Sequence, residues 1–419
     1  MSAGDIKWQA NVAGSKLETY PAINPNGGTI YVAETFNGNA WYALDPSDGS
    51  VKWSKTVSGS LEDTNLNNAL VYYEGSVFGG TRATKVIKRS ASGGGLEGEG
   101  STGSDEDTPD DSSPAFFSDG SFTIASDSNN VYGFSNSVNQ NWTVSNAVND
   151  IGAAVDTSDV AYYEGNSRAF AVRSDGSLKW DVSGYSESRG VAAITQDEST
   201  VIFPTSSGAV ARSTSDGSQK WSVGSSDTGG IAIGRNNFAY FTIGSQLYKA
   251  DANSGSVEWT YTANGGIAPP VVGAGGTVYW PTTGAVYAVT SEGNTKWSVG
   301  IDASDDQNCS PALDGNRGHL VVGDEGGTVY AIEISDAPAF GYADATSSSS
   351  PFNIQDVRNV GSGVNFSPFV FDRGNRVQLG ISSQDYVFEK EQGAEGTELV
   401  NDGGSSPLAF IGGEAIGTE

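Results

Sequence analysis

The side chains best suited to nucleophilic or metal chemistry are scarce, because the 419-residue chain has one histidine, His319, and one cysteine, Cys309. His319 follows the turn-like run from Gly315 to Gly318, so we expect it to face solvent, and no nucleophile motif accompanies it. Cys309 has no second thiol to pair with, and zinc sites usually need several Cys and His ligands. We therefore expect Cys309 to be a buried core residue, and we predict no catalytic residue.

A phosphate-binding pattern, G-x-G-x-x-G, occurs at Gly93–Gly98. The pattern binds phosphate only between a strand and a helix, and no such unit surrounds it here. Glu97 and Glu99 would also repel a phosphate. We predict that the match is accidental and that the chain has no cofactor-binding residue.

Clustered carboxylates are the remaining candidates for a metal site. None of the clusters has the glycine-punctuated spacing of a Ca²⁺ loop, so we predict no dedicated metal ligands. An acidic surface adapted to high salt is the favoured interpretation, and loose binding of Ca²⁺ or another cation is the alternative. No pair of acids stands out for glycoside hydrolysis. The clusters are Asp105, Glu106, Asp107, Asp110 and Asp111, and Asp302, Asp305 and Asp306.

The charge balance indicates the environment of the protein. The chain has 50 acidic and 22 basic residues, a formal net charge of −28, although charged residues are only 17% of it. In molar salt the Debye length falls to about 3 Å, which screens the repulsion. We therefore predict a protein from a halophile; an acidic face for a cationic partner is the alternative. Without a basic stripe, we expect no nucleic-acid partner.

Targeting and membrane segments are not evident in the sequence. The first residues, MSAGDIKWQANV, lack a basic region followed by an apolar one, and no stretch approaches the ~20 apolar residues of a membrane span. We expect no signal peptide in the chain as given and no membrane insertion. The expected location is a virion or the cell exterior, with the cytoplasm of a halophile as the alternative.

Tryptophan spacing indicates which elements organise the chain. Seven of the nine tryptophans recur at steps of 38 to 45 residues, except for one step of 89, and six of the seven have glycine four positions earlier. A period near forty in a β-rich chain is typical of propeller blades. The predicted structural anchors are Trp8, Trp53, Trp142, Trp180, Trp221, Trp259 and Trp297, with Gly4, Gly49, Gly176, Gly217, Gly255 and Gly293.

Each repeat contains about four short apolar runs separated by turn residues, which is the content of one four-stranded blade. Eight units fit between residues 5 and 334. The eighth lacks its Gly-x-x-x-Trp strand, whereas the chain begins with one, so we predict that residues 5–12 complete the last blade and close the ring. The predicted fold is an all-β propeller of eight four-stranded blades.

The predicted domain organisation follows these repeats. The propeller covers residues 1–334, and the polar, Gly-rich stretch at about 91–112 is expected to be a mobile acidic loop. Residues 335–351 form a predicted linker. Residues 352–419 are predicted to be a small C-terminal β appendage, with an additional blade as the alternative.

The run from Ala43 to Trp53, A-L-D-P-S-D-G-S-V-K-W, resembles the tryptophan-docking motif of the PQQ-type repeat family. The family includes quinoprotein alcohol dehydrogenases and also non-enzymatic scaffolds, among them an outer-membrane assembly lipoprotein of similar size and blade count. The dehydrogenases have a vicinal disulfide beside the quinone and a calcium site. A chain with one cysteine departs from that pattern, so the resemblance favours the scaffolds.

These observations predict a function by elimination. We expect a non-enzymatic structural or recognition module that mediates protein–protein assembly. The expected role is that of a virion surface component, such as a capsid decoration, spike or tail protein. Its partners would be other proteins of an assembly, or a host surface protein or glycan. A PQQ-dependent oxidoreductase and a carbohydrate-binding propeller are the two alternatives.

Overall fold

The structure is a computed structural model of the whole chain. It describes residues 2–334, with gaps at 15, 18–19, 25–27, 35–39, 57–69, 82–83, 104–111, 127–129, 146–151, 166, 185–189, 235–236, 264, 267, 274, 302–309 and 316. Beyond residue 334 it describes the backbone of four short strands.

Thirty-two strands form eight antiparallel four-stranded sheets, each of which is one blade. In blades 1 to 7 the strands are consecutive in sequence, and in blade 8 the N-terminal strand is the fourth. The strands are as follows: β1 Ile6–Asn11; β2 Ala22–Ile23, β3 Ile30–Ala33, β4 Ala40–Leu44 and β5 Val51–Thr56 (blade 1); β6 Val71–Tyr73, β7 Ser76–Thr81, β8 Lys85–Ser90 and β9 Leu96–Ser101 (blade 2); β10 Ala115–Phe116, β11 Phe122–Ala125, β12 Val131–Phe134 and β13 Gln140–Val144 (blade 3); β14 Ala154–Val155, β15 Val160–Gly165, β16 Arg168–Arg173 and β17 Leu178–Ser183 (blade 4). They continue with β18 Ala193–Ile194, β19 Thr200–Thr205, β20 Gly208–Ser213 and β21 Gln219–Val223 (blade 5); β22 Ala232–Gly234, β23 Phe238–Ile243, β24 Gln246–Asp251 and β25 Val257–Thr262 (blade 6); β26 Val271–Val272, β27 Val278–Thr282, β28 Ala285–Val289 and β29 Thr295–Val299 (blade 7); and β30 Ala312–Asp314, β31 His319–Gly323 and β32 Thr328–Glu333 (blade 8).

Burial differs between the strands of a blade in the way that a ring of radial sheets requires. The second strands are buried along all or nearly all of their length, as β3 is, because both faces of each sheet contact a neighbouring blade. The fourth, outermost strands have one largely solvent-facing side: in β5 only Trp53 is buried. The mostly polar sequence of β5 and the continuous apolar run of β3 therefore indicate the position of each strand in the blade.

The apolar core is divided among the blade interfaces. One cluster joins Trp53 of blade 1 to Val77 and Ile87 of blade 2, and another joins Phe78 of blade 2 to Phe122 of blade 3. No blade buries its own faces, so each depends on its neighbours for stability.

Ring closure occurs as the sequence predicts. The N-terminal strand β1 pairs antiparallel with β32, with Gln9 opposite Tyr330, and the Gly4 amide donates to the carbonyl of Glu333 at 2.8 Å. The eighth blade thus combines the two ends of the propeller, which leaves no unfinished sheet in the ring. The prediction of an all-β, eight-bladed propeller is confirmed.

The prediction of a loop at about 91–112 is wrong for residues 96–101. Residues Leu96–Ser101 form β9, the fourth strand of blade 2, which pairs with β8 from Lys85↔Ser101 to Arg89↔Leu96. The L-E-G-E-G-S run lacks the tryptophan that marks this strand elsewhere, but its backbone completes the sheet. Residues 104–111 lie outside the described residues.

The C-terminal segment contains two antiparallel strand pairs. β33 (Gln378–Ile381) pairs with β34 (Gln384–Val387), and β35 (Thr397–Leu399) pairs with β36 (Ala409–Ile411). The boundaries of the linker at 335–351 and of the appendage at 352–419 remain predictions.

Candidate functional site

The tryptophan anchors join neighbouring blades. Each indole on a fourth strand lies against the turn glycine of the next blade: a Cβ atom added to Gly217 would lie 2.6 Å from Cε3 of Trp180. Gly217 has a φ of +76°, which glycine adopts without steric cost. The glycine therefore has two functions, to form the turn and to leave room for the neighbouring indole.

Six of the indoles are also fixed by a hydrogen bond. Each indole Nε1–H donates to a backbone carbonyl in the same turn that supplies the glycine, at 2.8 to 3.0 Å. The donor–acceptor pairs are Trp8–Pro46, Trp53–Ala91, Trp142–Ser174, Trp180–Thr214, Trp221–Ala252 and Trp259–Ser291. The seventh indole, Trp297, lies against Gly4 at the ring closure.

Gly93–Gly98, which matches the phosphate-binding pattern, belongs to this docking system. Gly94 has a φ of +67°, and a Cβ added there would lie 2.8 Å from Cε3 of Trp53. The run is therefore the turn between β8 and β9, followed by the start of β9, with no helix after it.

A second set of contacts joins the blades at the turns between first and second strands. The carboxylate of Asp159 accepts from the Ser118 amide at 2.6 Å, and that of Glu198 accepts from the Thr157 amide at 3.2 Å. Asn237 repeats the contact one blade further on. All three acceptors have a positive φ. The donor and the acceptor of each contact are 41 residues apart, and the acceptors recur every 39 residues. These contacts, which the sequence analysis missed, link blades 3 to 6.

Lysines on the fourth strands form another repeated contact that the sequence analysis missed. In five blades the residue before the tryptophan is lysine: Lys7, Lys52, Lys179, Lys220 and Lys296. Lys220 Nζ donates to Thr200 Oγ1 at 2.6 Å, and Lys296 Nζ donates to Thr277 Oγ1 at 3.2 Å, both within their own blades. Several of the chain's few cations thus connect the outermost strand to the second strand.

Among the described residues, the most buried ion pair crosses the interface between blades 4 and 5. Arg212 donates from Nε and Nη2 to the two carboxylate oxygens of Glu164, at 2.9 and 2.7 Å. Both side chains are almost completely buried. The same guanidinium donates to the carbonyls of Gly217 and Ser183. A charge pair this well satisfied holds two blades in register.

His319 does not face solvent, so that prediction is wrong. It is the first residue of β31, 4% exposed, with Nε2 3.9 Å from the Glu333 carboxylate. Burial lowers the pKa of His319, while the nearby carboxylates of Asp314 and Glu333 act in the opposite direction. The turn ends at Gly318, as predicted, but strand β31 begins at His319 and places the imidazole inside blade 8.

The remaining candidates for metal or thiol chemistry are not among the residues that the structure describes. Cys309 and both acidic clusters lie outside the described residues. Among the residues that are described, no three His, Cys, Asp or Glu side chains are grouped as a metal site would require.

Buried acids in the described part have structural partners. Asp156 accepts from the hydroxyl of Tyr162 at 2.6 Å and from the Val160 amide at 2.9 Å. Burial raises the pKa of Tyr162, and the bond to Asp156 raises it further. Glu34 accepts from the amides of Gly14 and Ala40, each at 3.1 Å. These carboxylates therefore stabilise the local structure of the propeller.

Pyrroloquinoline quinone is a tricarboxylate, so a site for it requires cationic or N–H donors. The innermost strand of each blade is its first strand in sequence. Where described, these strands present mainly Ala, Val and Ile, and their one charged residue is an acid, Asp314, which contacts Arg317 at 3.4 Å. The described residues of these strands do not fit that cofactor.

Eight radial four-stranded sheets, joined by tryptophans that dock on the next blade and closed by the N-terminal strand, define a propeller of tryptophan-docking repeats. The family model described as "Outer membrane protein assembly factor BamB" matches residues 1–154 and 206–338. The chain belongs to this family, which confirms the predicted resemblance. No curated protein matches the sequence.

Solved structures show the same fold at low sequence identity. BamB from Moraxella catarrhalis is 12% identical with a TM-score of 0.60, and the match covers 78% of this chain and 100% of that one. The computationally designed Ika8 protein is 12% identical with a TM-score of 0.63 (79% and 100%). Sqt1 from Saccharomyces cerevisiae is 10% identical with a TM-score of 0.64 (80% and 100%). Within the described part of the chain, no helix has the length and apolarity needed to cross a membrane.

Proposed function

We propose that this protein is a non-catalytic scaffold that binds other proteins within an assembly. The observation that carries the proposal is the family match, which covers residues 1–154 and 206–338 and names an assembly factor. Scaffolding requires a rigid body with large exposed faces, and a closed ring of eight blades has both properties.

The use of polar groups in the described part supports a structural function. The Arg212–Glu164 pair, the Asp159 and Glu198 contacts and six of the seven docked indoles all stabilise the ring. A catalytic centre would instead bring such groups together around a cleft. The contacts that join the blades fix the positions of the exposed turns, so a partner would meet a preformed surface.

We further propose that the scaffold works in high salt, as a surface component of a virion or of another assembly in a halophile. The net charge of −28 supports this setting, because such a charge is tolerated when salt screens it. The partner would be another protein of that assembly, or a host surface protein or glycan.

The proposal is tested by density-gradient fractionation of the native source in molar salt, with mass spectrometry to locate this chain. We expect it to band with a particle or envelope fraction at fixed stoichiometry, and chemical cross-linking in that fraction should join it to specific neighbours. An unrelated acidic protein of similar net charge, added before fractionation, controls for non-specific association.

Two results would overturn the proposal. The first is a chain that remains alone at every density and forms no cross-links to other proteins. The second is dehydrogenase activity on adding pyrroloquinoline quinone and Ca²⁺, with saturable quenching of tryptophan fluorescence, which would show an oxidoreductase.

A further inference from the structure

The run Asn141-Trp142-Thr143 matches the acceptor pattern for N-linked glycosylation, Asn-x-Ser/Thr with x other than proline. Two further matches, at Asn308 and Asn365, lie outside the described residues. A pattern this short occurs by chance in a chain rich in Asn, Ser and Thr, so the assignment must come from its position in the fold.

Asn141 lies on an accessible part of the propeller. It belongs to β13, the outermost strand of blade 3, which pairs only with β12. Asn141 and Thr143 are both exposed. Trp142 and Val144, which point to the opposite side of the strand, are partly buried against the core. The amide that would be modified and the hydroxyl that completes the pattern therefore face solvent on the same side.

Asn141 is also the extra residue of a β-bulge. Gln140 is opposite Phe134 and Trp142 is opposite Gly133, so no residue of β12 is opposite Asn141. A bulge bends the edge strand and leaves the extra residue outside the ladder of paired residues. This position is accessible to a modifying enzyme without disruption of the sheet.

The same bulge occurs in all eight outer strands, at the residue before the docking tryptophan or, in β9, before Gly98. Seven of the eight bulge residues are charged: Lys7, Lys52, Glu97, Lys179, Lys220, Glu258 and Lys296. Some of these side chains return to the second strand of their own blade, as Lys220 Nζ does when it donates to Thr200 Oγ1 at 2.6 Å. Asn141 is the one uncharged residue at this position.

Blade 3 consequently has an outer strand without any charge. β13 has the sequence Q-N-W-T-V, whereas each of the other seven outer strands contains at least one Lys, Asp or Glu. Charged side chains on an edge strand hinder pairing with a strand of another molecule. A different group must therefore keep the free edge of β13 hydrated and unpaired.

We propose that Asn141 carries an N-linked oligosaccharide, which covers the free edge of blade 3. The amide nitrogen of Asn141 forms a bond to the anomeric carbon of a sugar supplied as a lipid-linked glycosyl phosphate. The bond from that carbon to the phosphate oxygen breaks, the phosphate keeps the electron pair, and the amide loses one proton. The bulky, hydrated oligosaccharide does on β13 what charged residues do on the other outer strands.

The inference rests on the proposed function, because this modification is found on the surface of exported proteins and the proposed setting is such a surface. The two can nevertheless fail separately. A chain that bands with particles but has an unmodified Asn141 overturns the inference and leaves the proposed function standing. A modified Asn141 in a chain that remains alone at every density supports the inference and contradicts the proposed function.

The direct test is mass spectrometry of the chain from its native source after cleavage at Asp127 and Asp150. The peptide between these cleavages contains Asn141 and no other acceptor pattern. We expect an oligosaccharide on Asn141. Asn139, an exposed asparagine of the same peptide that lies outside the pattern, is the internal control and should be unmodified. An unmodified Asn141 in every fraction would overturn the inference.

Variants produced in the source organism test both the acceptor pattern and the covering of the edge. Asn141→Gln and Thr143→Ala should lose the oligosaccharide, and Thr143→Ser should retain it. Asn141→Gln leaves the edge of β13 bare, so in molar salt it should form dimers that size-exclusion chromatography with light scattering detects. Asn141→Lys also lacks the oligosaccharide but has the charge found in the other blades, so its apparent mass should show no such dimer. If Asn141→Gln forms no dimer either, the oligosaccharide does not protect the edge and the proposal is overturned on that point.

Discussion

Val138 lies against Gly98 in the place where, at the other blade interfaces, a docked tryptophan meets a glycine. Gly98 is opposite Lys88, as Trp53 is opposite Ala43, so it occupies the tryptophan position of blade 2. Val138 is four residues before Trp142, where the other repeats have glycine, and it retains the positive φ, 61°. A Cβ on Gly98 would lie 2.9 Å from Cγ2 of Val138. The two departures compensate, because the valine fills the space that the missing indole leaves.

This compensation predicts strong coupling between the two positions. Gly98→Trp alone would clash with Val138, and Val138→Gly alone would leave a cavity, so each should lower the free energy of unfolding by about 2–3 kcal/mol. The double variant restores the repeat pattern and should cost at least 1 kcal/mol less than the sum of the singles. Denaturant titrations in molar salt measure all three. Additive effects would show that the positions do not interact.

Docking glycines should tolerate substitution less than other turn glycines. Gly217→Ala places a methyl against Trp180 and should lower the free energy of unfolding by about 2–4 kcal/mol. Gly244 is the matched control: its φ is +57° but a Cβ would meet nothing within 4 Å. Gly244→Ala should therefore cost only about 1 kcal/mol, from the backbone alone. Equal losses in thermal melts would mean that displacing the indole costs nothing.

The repeated Trp and Gly residues predict the fold well because these same residues form the contacts that join neighbouring blades. The Trp and Gly positions alone specify eight blades and the closure by residues 5–12. Prediction failed at Leu96–Ser101, where the strand lacks its tryptophan and Val138 of the next blade substitutes for it. It also failed at His319, since a turn before a strand is compatible with either exposure or burial.

The buried pair Arg212–Glu164 should be sensitive to loss of one member. Glu164→Gln leaves the guanidinium without a counter-charge and should lower the free energy of unfolding by about 3–5 kcal/mol. Replacing both residues, as Glu164→Leu/Arg212→Met, removes the unpaired charge and should cost less than the single change. Urea titrations in molar salt measure both variants. A double variant less stable than Glu164→Gln would show that the pair itself contributes most of the stability.

His319 should make the propeller acid-sensitive. Burial holds its pKa in the folded protein below 6.5, so the unfolded chain binds a proton more readily. The contribution of His319 to the free energy of unfolding is therefore fully present above pH 6.5. It is lost as the pH falls below 6.5, by at most about 1.4 kcal/mol per pH unit for one proton. His319→Gln should make the midpoint of urea unfolding less dependent on pH between pH 7.5 and 5.5. An unchanged slope in that variant would assign the acid response to other groups.

Exposed turn carboxylates should make stability depend on ionic strength. The pKa of the Asp48, Asp175 and Asp216 carboxyls lies below its usual range, because each carboxyl accepts hydrogen bonds from the serine two residues further on. The main donor to Asp48 is the backbone amide of Ser50. The main donors to Asp175 and Asp216 are the side chains of Ser177 and Ser218. The three carboxyls therefore stay ionised and add to the charge of −28. Because the Debye length shortens from about 30 Å at 0.01 M to about 3 Å at 1 M salt, the melting temperature should rise over that range.

A triple variant isolates this charge effect. Asp48→Asn, Asp175→Asn and Asp216→Asn keep a side-chain oxygen for each turn and change the net charge from −28 to −25, the difference being the three charges removed. Melting temperatures measured over a range of sodium gluconate concentrations should rise less steeply with salt for the variant than for the wild type. A wild-type melting temperature that does not change with gluconate concentration would mean that repulsion within the acidic surface does not limit stability. The acidic surface would then be interpreted as a binding surface for a cationic partner.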